Sequence, residues 1–374
     1  MDLSCDLHIH SCFSIATSRR MVPPLILEAC RTKGLDVIGS GDALHPEWRR
    51  MWVEALSRTG DCGTCVVPST EIEDKNRVHH LVLMEDFASF RDLALDLAPS
   101  APGLGSTGRP RVPLTGGEIA RLVHRRDGLI GPAHAFTPWT SLYAAHDSLE
   151  SCYGSEHVDF LELGLSADSS YGAAIPHLSR IPFISSSDAH GPDPCRLGRE
   201  FVVLSAPEGT PSAVLDALRQ GNVVRNVGFF PEEGKYNRTA CTRCYHQFPA
   251  DDALSCSWKC PLCGGRIKKG VRDRARELSS GPALPRPPYL HMIPLAEILA
   301  RVLPVSSVRA RAVCTLYDRF IGAFGNEISV LTEIPVQELS DIHPGAAAAV
   351  GSLRSGRVRL SPGGGGRYGT FSFF

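Results

Sequence analysis

The 374-residue sequence predicts an α/β fold of repeated strand and helix units over residues 1–230, a four-cysteine ribbon over 231–280 and a helical region over 281–374. Three observations predict it. Short apolar runs ending in polar residues alternate with amphipathic stretches up to about residue 230; two CxxC pairs stand fifteen residues apart; and beyond Ile293 apolar residues recur at helical spacing. The chain exceeds one ordinary compact domain, and 43% apolar against 21% charged residues suffices for a large core.

Runs at 36–39, 65–67, 81–83, 128–131, 160–163 and 182–185 have strand character, with helical patterns over 25–33 and 117–126 between them. Repeated strand-then-helix order implies a mainly parallel sheet, open or closed as a barrel, in which side chains at the C-terminal strand ends share one crevice. Residues 99–113 are rich in Pro and Gly and read as a mobile surface loop. Residues 281–288 read as a stiff linker and 361–369 as a flexible, weakly basic end. In the last region Leu295, Ile298, Leu299 and Val302 form one helical stripe, and Val313, Leu316, Tyr317, Phe320, Ile321 and Phe324 another.

The net charge of −1 hides a basic run of six residues, Arg266, Lys268, Lys269, Arg272, Arg274 and Arg276, against one acid, Asp273. The N-terminus lacks a basic segment followed by an apolar one, and no run approaches the roughly 18 apolar residues of a membrane span, so a soluble, cytoplasmic protein is expected. Thirteen cysteines are an odd number. Cys241, Cys244, Cys260 and Cys263 form the two CxxC knuckles, whose spacing lets four thiolates close a tetrahedral structural zinc site. The other nine, such as Cys30 and Cys314, are expected to be small buried hydrophobes or inert thiols.

Asp6-Leu7-His8-Ile9-His10 alternates polar and apolar residues, so on a strand Asp6, His8 and His10 share a face while Leu7 and Ile9 enter the core. Surface HxH pairs are common, and this one alone would carry little weight. Eleven of the fourteen histidines, however, lie in residues 1–190. Several stand at expected strand ends beside carboxylates: Asp42 with His45, Glu71, His79-His80, His134, and Asp188 with His190. Mixed imidazole and carboxylate ligands suit zinc, manganese or iron, and such centres activate water for phosphoester hydrolysis.

His8-Ile9-His10-Ser11, Gly41-Asp42, Ser69-Thr70-Glu71, His80-Leu81-Val82, His134 and Ser187-Asp188-Ala189-His190 resemble, in order, the metal motifs of the PHP (polymerase and histidinol phosphatase) superfamily. The resemblance covers the first 200 residues and implies a distorted (β/α)7 barrel with two or three divalent metals (zinc, manganese, magnesium or iron) at the strand C-termini. It assigns His8, His10, Asp42, His45, Glu71, His80, His134, Asp188 and His190 as ligands. Among these His8, His10, Glu71 and Asp188 are the catalytic set, with Glu71 the bridge. Many such proteins have Thr-Asp-His where this chain has Gly41-Asp42-Ala43. Either His45 supplies the imidazole from further on, or the third metal is held differently or absent. Strand alternation lets only one of His79 and His80 face the site; the motif's spacing favours His80 and leaves His79 to solvent.

Ile15-Ala16-Thr17-Ser18, Gly41 to Trp48, Pro132 to Trp139, the CxxC pairs and Pro288 to Leu295 together resemble the endonuclease Q family along nearly the whole chain. That resemblance implies a DNA repair endonuclease cutting 5′ to deaminated bases (uracil, hypoxanthine, xanthine) or abasic sites. A small-molecule PHP-type phosphatase is the rival. For DNA contact the candidates are Lys259, Arg266, Lys268, Lys269 and Arg272 on the ribbon, by charge beside Trp258, and Tyr289 and His291, by position. A sliding clamp is a conceivable partner, but the end Phe371-Ser372-Phe373-Phe374 lacks the glutamine of a clamp-binding peptide.

Overall fold

The computed structural model describes residues 1–59 and 63–374, so Cys62 lies outside the described residues. Its strands are β1 (Asp2–Asp6), β2 (Val37–Gly39), β3 (Cys65–Val67), β4 (Ser69–Glu73), β5 (His79–Leu83), β6 (Leu129–Pro132), β7 (Leu161–Glu162), β8 (Phe183–Ile184), β9 (Phe201–Ser205), β10 (Val223–Gly228), β11 (Ala240–Cys241), β12 (Ile267–Lys268), β13 (Tyr289–His291), β14 (Val358–Ser361) and β15 (Thr370–Phe373). The six apolar runs read from sequence are β2, β3, β5, β6, β7 and β8.

Three sheets make the distorted barrel: β13-β10-β9-β1-β2-β3, β4-β5-β6 and β7-β8. They enclose one core, in which Leu3, Cys5 and Leu7 meet Val37, Val67, Leu81, Leu83, Leu129, Ile184 and Val202, while Leu215 and Leu218 of the helix Pro211–Arg219 join from outside the strands. The expectation of a mainly parallel sheet needs correction. β1–β2, β2–β3, β7–β8 and β10–β13 are parallel, whereas β1–β9, β9–β10, β4–β5 and β5–β6 are antiparallel. Residues 74–78 join β4 to β5, too few for a parallel crossover, which needs about a dozen.

Local sequence sets the flanking helices. Pro23 opens Pro23–Lys33, and Gly34, at φ 93°, ends it in the left-handed conformation. Thr115 and Glu118 cap Gly116–His124 reciprocally. After the ribbon come five helices, Leu295–Val302, Arg311–Phe324, Glu327–Thr332, Val336–Ile342 and Pro344–Arg354, which share a core with Ile26, Leu27, Cys30 and Val203 of the barrel. Cys30 is buried as expected, but Cys314 is exposed.

Two segments read as mobile are packed. Within 99–113, Pro110 and Val112 are buried, Gly108 N–H donates to Phe13 O (3.2 Å) and Val112 N–H to Glu73 O (2.8 Å). The tail is no free end either. β14 and β15 form a hairpin, and Gly363–365 lie buried against 238–241, with Arg238 N–H donating to Gly363 O (3.0 Å). Glycine is required there because a Cβ on Gly365 would come within 2.3 Å of Cys241 O.

A buried ion pair ties the helical region to the barrel. Lys33 Nζ lies 2.8 Å from Glu327 Oε1, each side chain about 1% exposed or less, and Glu327 also accepts from Leu295 N–H (3.0 Å) and Tyr317 O–H (2.7 Å). Removing one partner strands a buried charge. Glu327→Leu should destabilise by about 3–5 kcal/mol, and the double variant with Lys33→Met should recover most of that loss. Thermal unfolding of the two variants checks both.

Candidate metal centre

β1 ends at Asp6, but the alternation continues beyond it through an isolated bridge between Ile9 and Ala189. Leu7 and Ile9 are buried in the core, as expected, and His8 and His10 point to the opposite side. Asp6 accepts from Ser187 N–H and Gly198 N–H (both 2.9 Å), which fixes the loop carrying Asp188; burial, only partly offset by these bonds, raises its pKa to about 6. Asp188, Asp42 and His134 all sit at positive φ (48°, 48° and 34°), strain of the kind that gathers at functional sites.

Two groups of ligating atoms face each other. His8, His10 and Asp188 bring theirs within 4.8 Å of one another, and so do Glu71, His79 and His134. Glu71 spans the two, with Oε1 2.7 Å from His79 Nδ1 and 2.9 Å from His134 Nε2, and Oε2 3.5 Å from His10 Nε2. The far nitrogens are pinned: His8 Nδ1 to Glu162 (3.0 Å), His10 Nδ1 to Asp42 (3.2 Å), His79 Nε2 to Glu73 (3.2 Å) and His134 Nδ1 to Thr137 Oγ1 (3.2 Å). A carboxylate only accepts, so Glu162 and Asp42 leave the protons on Nδ1 and turn the Nε2 lone pairs inward. His8 Nε2, His10 Nε2 and Asp188 Oδ1 are buried and form no hydrogen bond. Buried ligand atoms without partners fit divalent metal ions.

One assignment is reversed. His79, not His80, faces the cluster, because His79 shares a sheet face with Glu71 and Glu73 across the β4–β5 pair while His80 points to the other side. His79 is buried rather than solvent-facing. His45 stays apart: its ring stacks on Phe13 (4.0 Å) and its Nδ1 accepts from Trp48 N–H. Asp42 holds His10 and accepts from Ser11 and Ser14, leaving it behind the cluster rather than in it. His190 packs on His10 at 4.5 Å and lines the same pocket. Sequence reasoning missed Glu162, which bonds His8 and His134 N–H, and Arg109, whose Nη1 lies 3.1 Å from Glu71 Oε2. Glu162 sits at a strand end among the runs already read; Arg109 lay hidden in the segment read as mobile.

The four cysteines converge as expected. Cys241 and Cys263 Sγ are 3.5 Å apart and Cys244 and Cys260 Sγ 3.7 Å, near the roughly 3.8 Å edge of a tetrahedron with 2.3 Å zinc–sulfur bonds and far beyond a disulfide. Lys259 and Arg266 pair on the exposed ribbon surface. Lys268 Nζ lies 3.8 Å over the Trp139 ring, Lys269 pairs with Glu277 near Trp258, and Arg272 with Asp273. Tyr289 and His291 turn their polar atoms inward, to Glu200 (3.5 Å) and Asp168 (3.1 Å), because β13 joins the barrel sheet. A pocket of about 470 Å³ runs from His79, His134, Asp188 and His190 past Arg109 to Trp139, Tyr236 and Tyr368.

The cluster's charge makes the metal-free protein pH-sensitive. Burial alone would depress His8, but Glu162, Glu71 and Asp188 outweigh it and raise its pKa from 6.5 to about 9; His10 and His134 are raised for similar reasons. Stabilisation by the charged His8 ring is fully present below about pH 6.5 and lost as pH rises through about 9. The melting temperature of chelator-treated protein should therefore fall across that window, and Glu162→Gln should flatten the fall.

Among the described residues no helix is long and apolar enough to cross a membrane. The family described as the MJ0043 C-terminal domain matches residues 294–357. The uncharacterized protein MJ0043 of Methanocaldococcus jannaschii is 44% identical over 249 residues, 64% of this chain; the match covers 31% of that relative's length. The crystal structure of the lesion-specific endonuclease PfuEndoQ from Pyrococcus furiosus superimposes with a TM-score of 0.95 at 43% identity, covering 100% of this chain and 96% of that one. An endonuclease Q in complex with a 27-mer duplex bearing an abasic lesion at the active site superimposes equally well, at 42% identity and with 100% and 97% covered. Likeness at this identity over the whole length shows that the chain belongs to the endonuclease Q family.

Proposed function

We propose that this protein is a lesion-specific DNA repair endonuclease that hydrolyses the phosphodiester 5′ to a deaminated base (uracil, hypoxanthine or xanthine) or an abasic site. The observation that carries this reading is the end-to-end likeness to an endonuclease Q that holds an abasic duplex at its active site. The facing groups around Glu71 at the head of one open pocket supply a chemistry to match.

His8, His10 and Asp188 would hold one divalent cation and Glu71, His79 and His134 a second, with zinc, manganese, magnesium or iron as the candidate ions. Bound there, such cations supply Lewis-acid activation of water and neutralise charge on the phosphoryl group. The protein's own part is orientation. Glu162, Asp42 and Glu73 keep the imidazoles turned inward, and His190 lines the pocket beside them. Arg109, 30% exposed on the pocket wall, compensates Glu71 and presents its guanidinium to a phosphate oxygen. Taking a base out of the stack costs least where it is mispaired or missing, and half-exposed Trp139 beside Lys268 gives an aromatic and cationic wall at the mouth. Exposed Lys259 and Arg266 take the backbone, on a ribbon held by one structural zinc.

End-labelled duplexes bearing one abasic site, uracil, hypoxanthine or no lesion, incubated with manganese or magnesium, test the reading. A single nick 5′ to the lesion is expected, abolished by chelation and absent from the undamaged duplex. Asp188→Asn should lower cleavage by about 100-fold or more while sparing duplex binding. Glu162→Gln should lower metal affinity or cleavage by about 10–100-fold. Phosphate release from small monoesters without nicking would return the barrel to a small-molecule phosphatase.

A further inference from the structure

His80 does not idle on the far side of β5. There it meets Asp74, from the turn after β4, and Cys152, from the helix Leu149–Tyr153, and one ligating atom of each lies within 4.8 Å of the others. Asp74 and His80 are fully buried and Cys152 is 5% exposed. We propose that Asp74, His80 and Cys152 form a separate structural site for one zinc-like divalent cation, on the face of β5 opposite the catalytic cluster.

The geometry is what distinguishes this site from a buried ion pair. Asp74 Oδ2 and His80 Nε2 are 3.4 Å apart, and neither has a hydrogen-bond partner. A direct bond would close to about 2.9 Å. The edge of a tetrahedron with 2.0 Å metal bonds is about 3.3 Å. Leaving both atoms buried and unsatisfied would be costly, whereas a shared cation satisfies both.

The remaining atoms are already held for ligation. Asp74 Oδ1 accepts from Asn76 and Val78 N–H (both 2.8 Å), leaving Oδ2 for the cation. His80 Nδ1 lies 2.7 Å from the Tyr153 hydroxyl; with Nδ1–H donating to that oxygen, Nε2 carries the lone pair. A Cβ on Gly116 would come within 2.9 Å of both Cys152 Sγ and the His80 ring, so glycine at this helix start keeps the space open. On binding, the Cys152 S–H proton leaves to solvent, and one carboxylate and one thiolate balance a divalent charge. Such a clasp joins the β4–β5 turn, β5 and a helix, and so braces the strand whose other face carries His79.

The test is independent of whether DNA is cut. Anomalous diffraction at the zinc edge, from crystals of the full chain grown with zinc chloride, should show a peak between Asp74 Oδ2, His80 Nε2 and Cys152 Sγ as well as one among the four ribbon cysteines. A peak at the ribbon and none here overturns the proposal. By elemental analysis, Cys152→Ala should hold one zinc equivalent less than the parent protein; an unchanged content also overturns it.

Discussion

Four imidazoles and two carboxylates gathered around one point constrain the rest of the barrel rim. Each ring needs a partner on its outer nitrogen, and the fold supplies one from a different segment in every case: Glu162 from β7, Asp42 from the turn after β2, Glu73 from β4 and Thr137 from the loop after β6. The three carboxylates among them make the inner atoms available by fixing the tautomer, and Thr137 orients the His134 ring. The strained backbone at His134 and Asp188 follows from the same demand, since each lies in a loop leaving a strand end that must turn sharply to aim at the centre, while Asp42, strained likewise, turns to hold His10 from behind.

Strand alternation then explains why adjacent histidines lead separate lives. On β5, His79 is opposite Glu73 and His80 opposite Ile72, so neighbouring residues face different layers of the fold. His79 enters the rim with Glu71. His80 enters a closed space under Gly116 with Asp74 and Cys152. The rigidity of one face is therefore tied to the packing of the other, because both depend on the placement of the same short strand.

Much of this was legible in the sequence. His8, His10, Glu71, His134 and Asp188 stand at the ends of apolar runs, and period-two alternation correctly sent Leu7 and Ile9 inward. Four knuckle cysteines converge as their spacing predicts. Failures arose where local pattern carries no register. Alternation says that only one of His79 and His80 faces the site, but choosing between them requires the β4–β5 pairing. Composition made 99–113 and the glycine-rich tail look free, yet their glycines permit close approach: a Cβ on Gly108 would come within 2.2 Å of Asp42 Oδ2. The same composition serves a mobile loop and a tightly packed one, and only tertiary contacts separate them.

The packed 99–113 segment also bears on the electrostatics of the site. Glu71 is fully buried; burial would protonate it, but the His79, His134 and His8 rings outweigh that and hold its pKa well below the usual range. Arg109 adds a fixed guanidinium to the same carboxylate, and its own pKa is raised, burial notwithstanding, by Glu71 and Asp188. That positive charge does not titrate away, so it favours the ionised form of Glu71 alongside the imidazoles. Its delivery depends on the backbone, with Gly108 bonded to Phe13 on one side and Val112 to Glu73 on the other. The segment is thus part of the centre's charge balance, and the close packing of its glycine is what sets that charge in place.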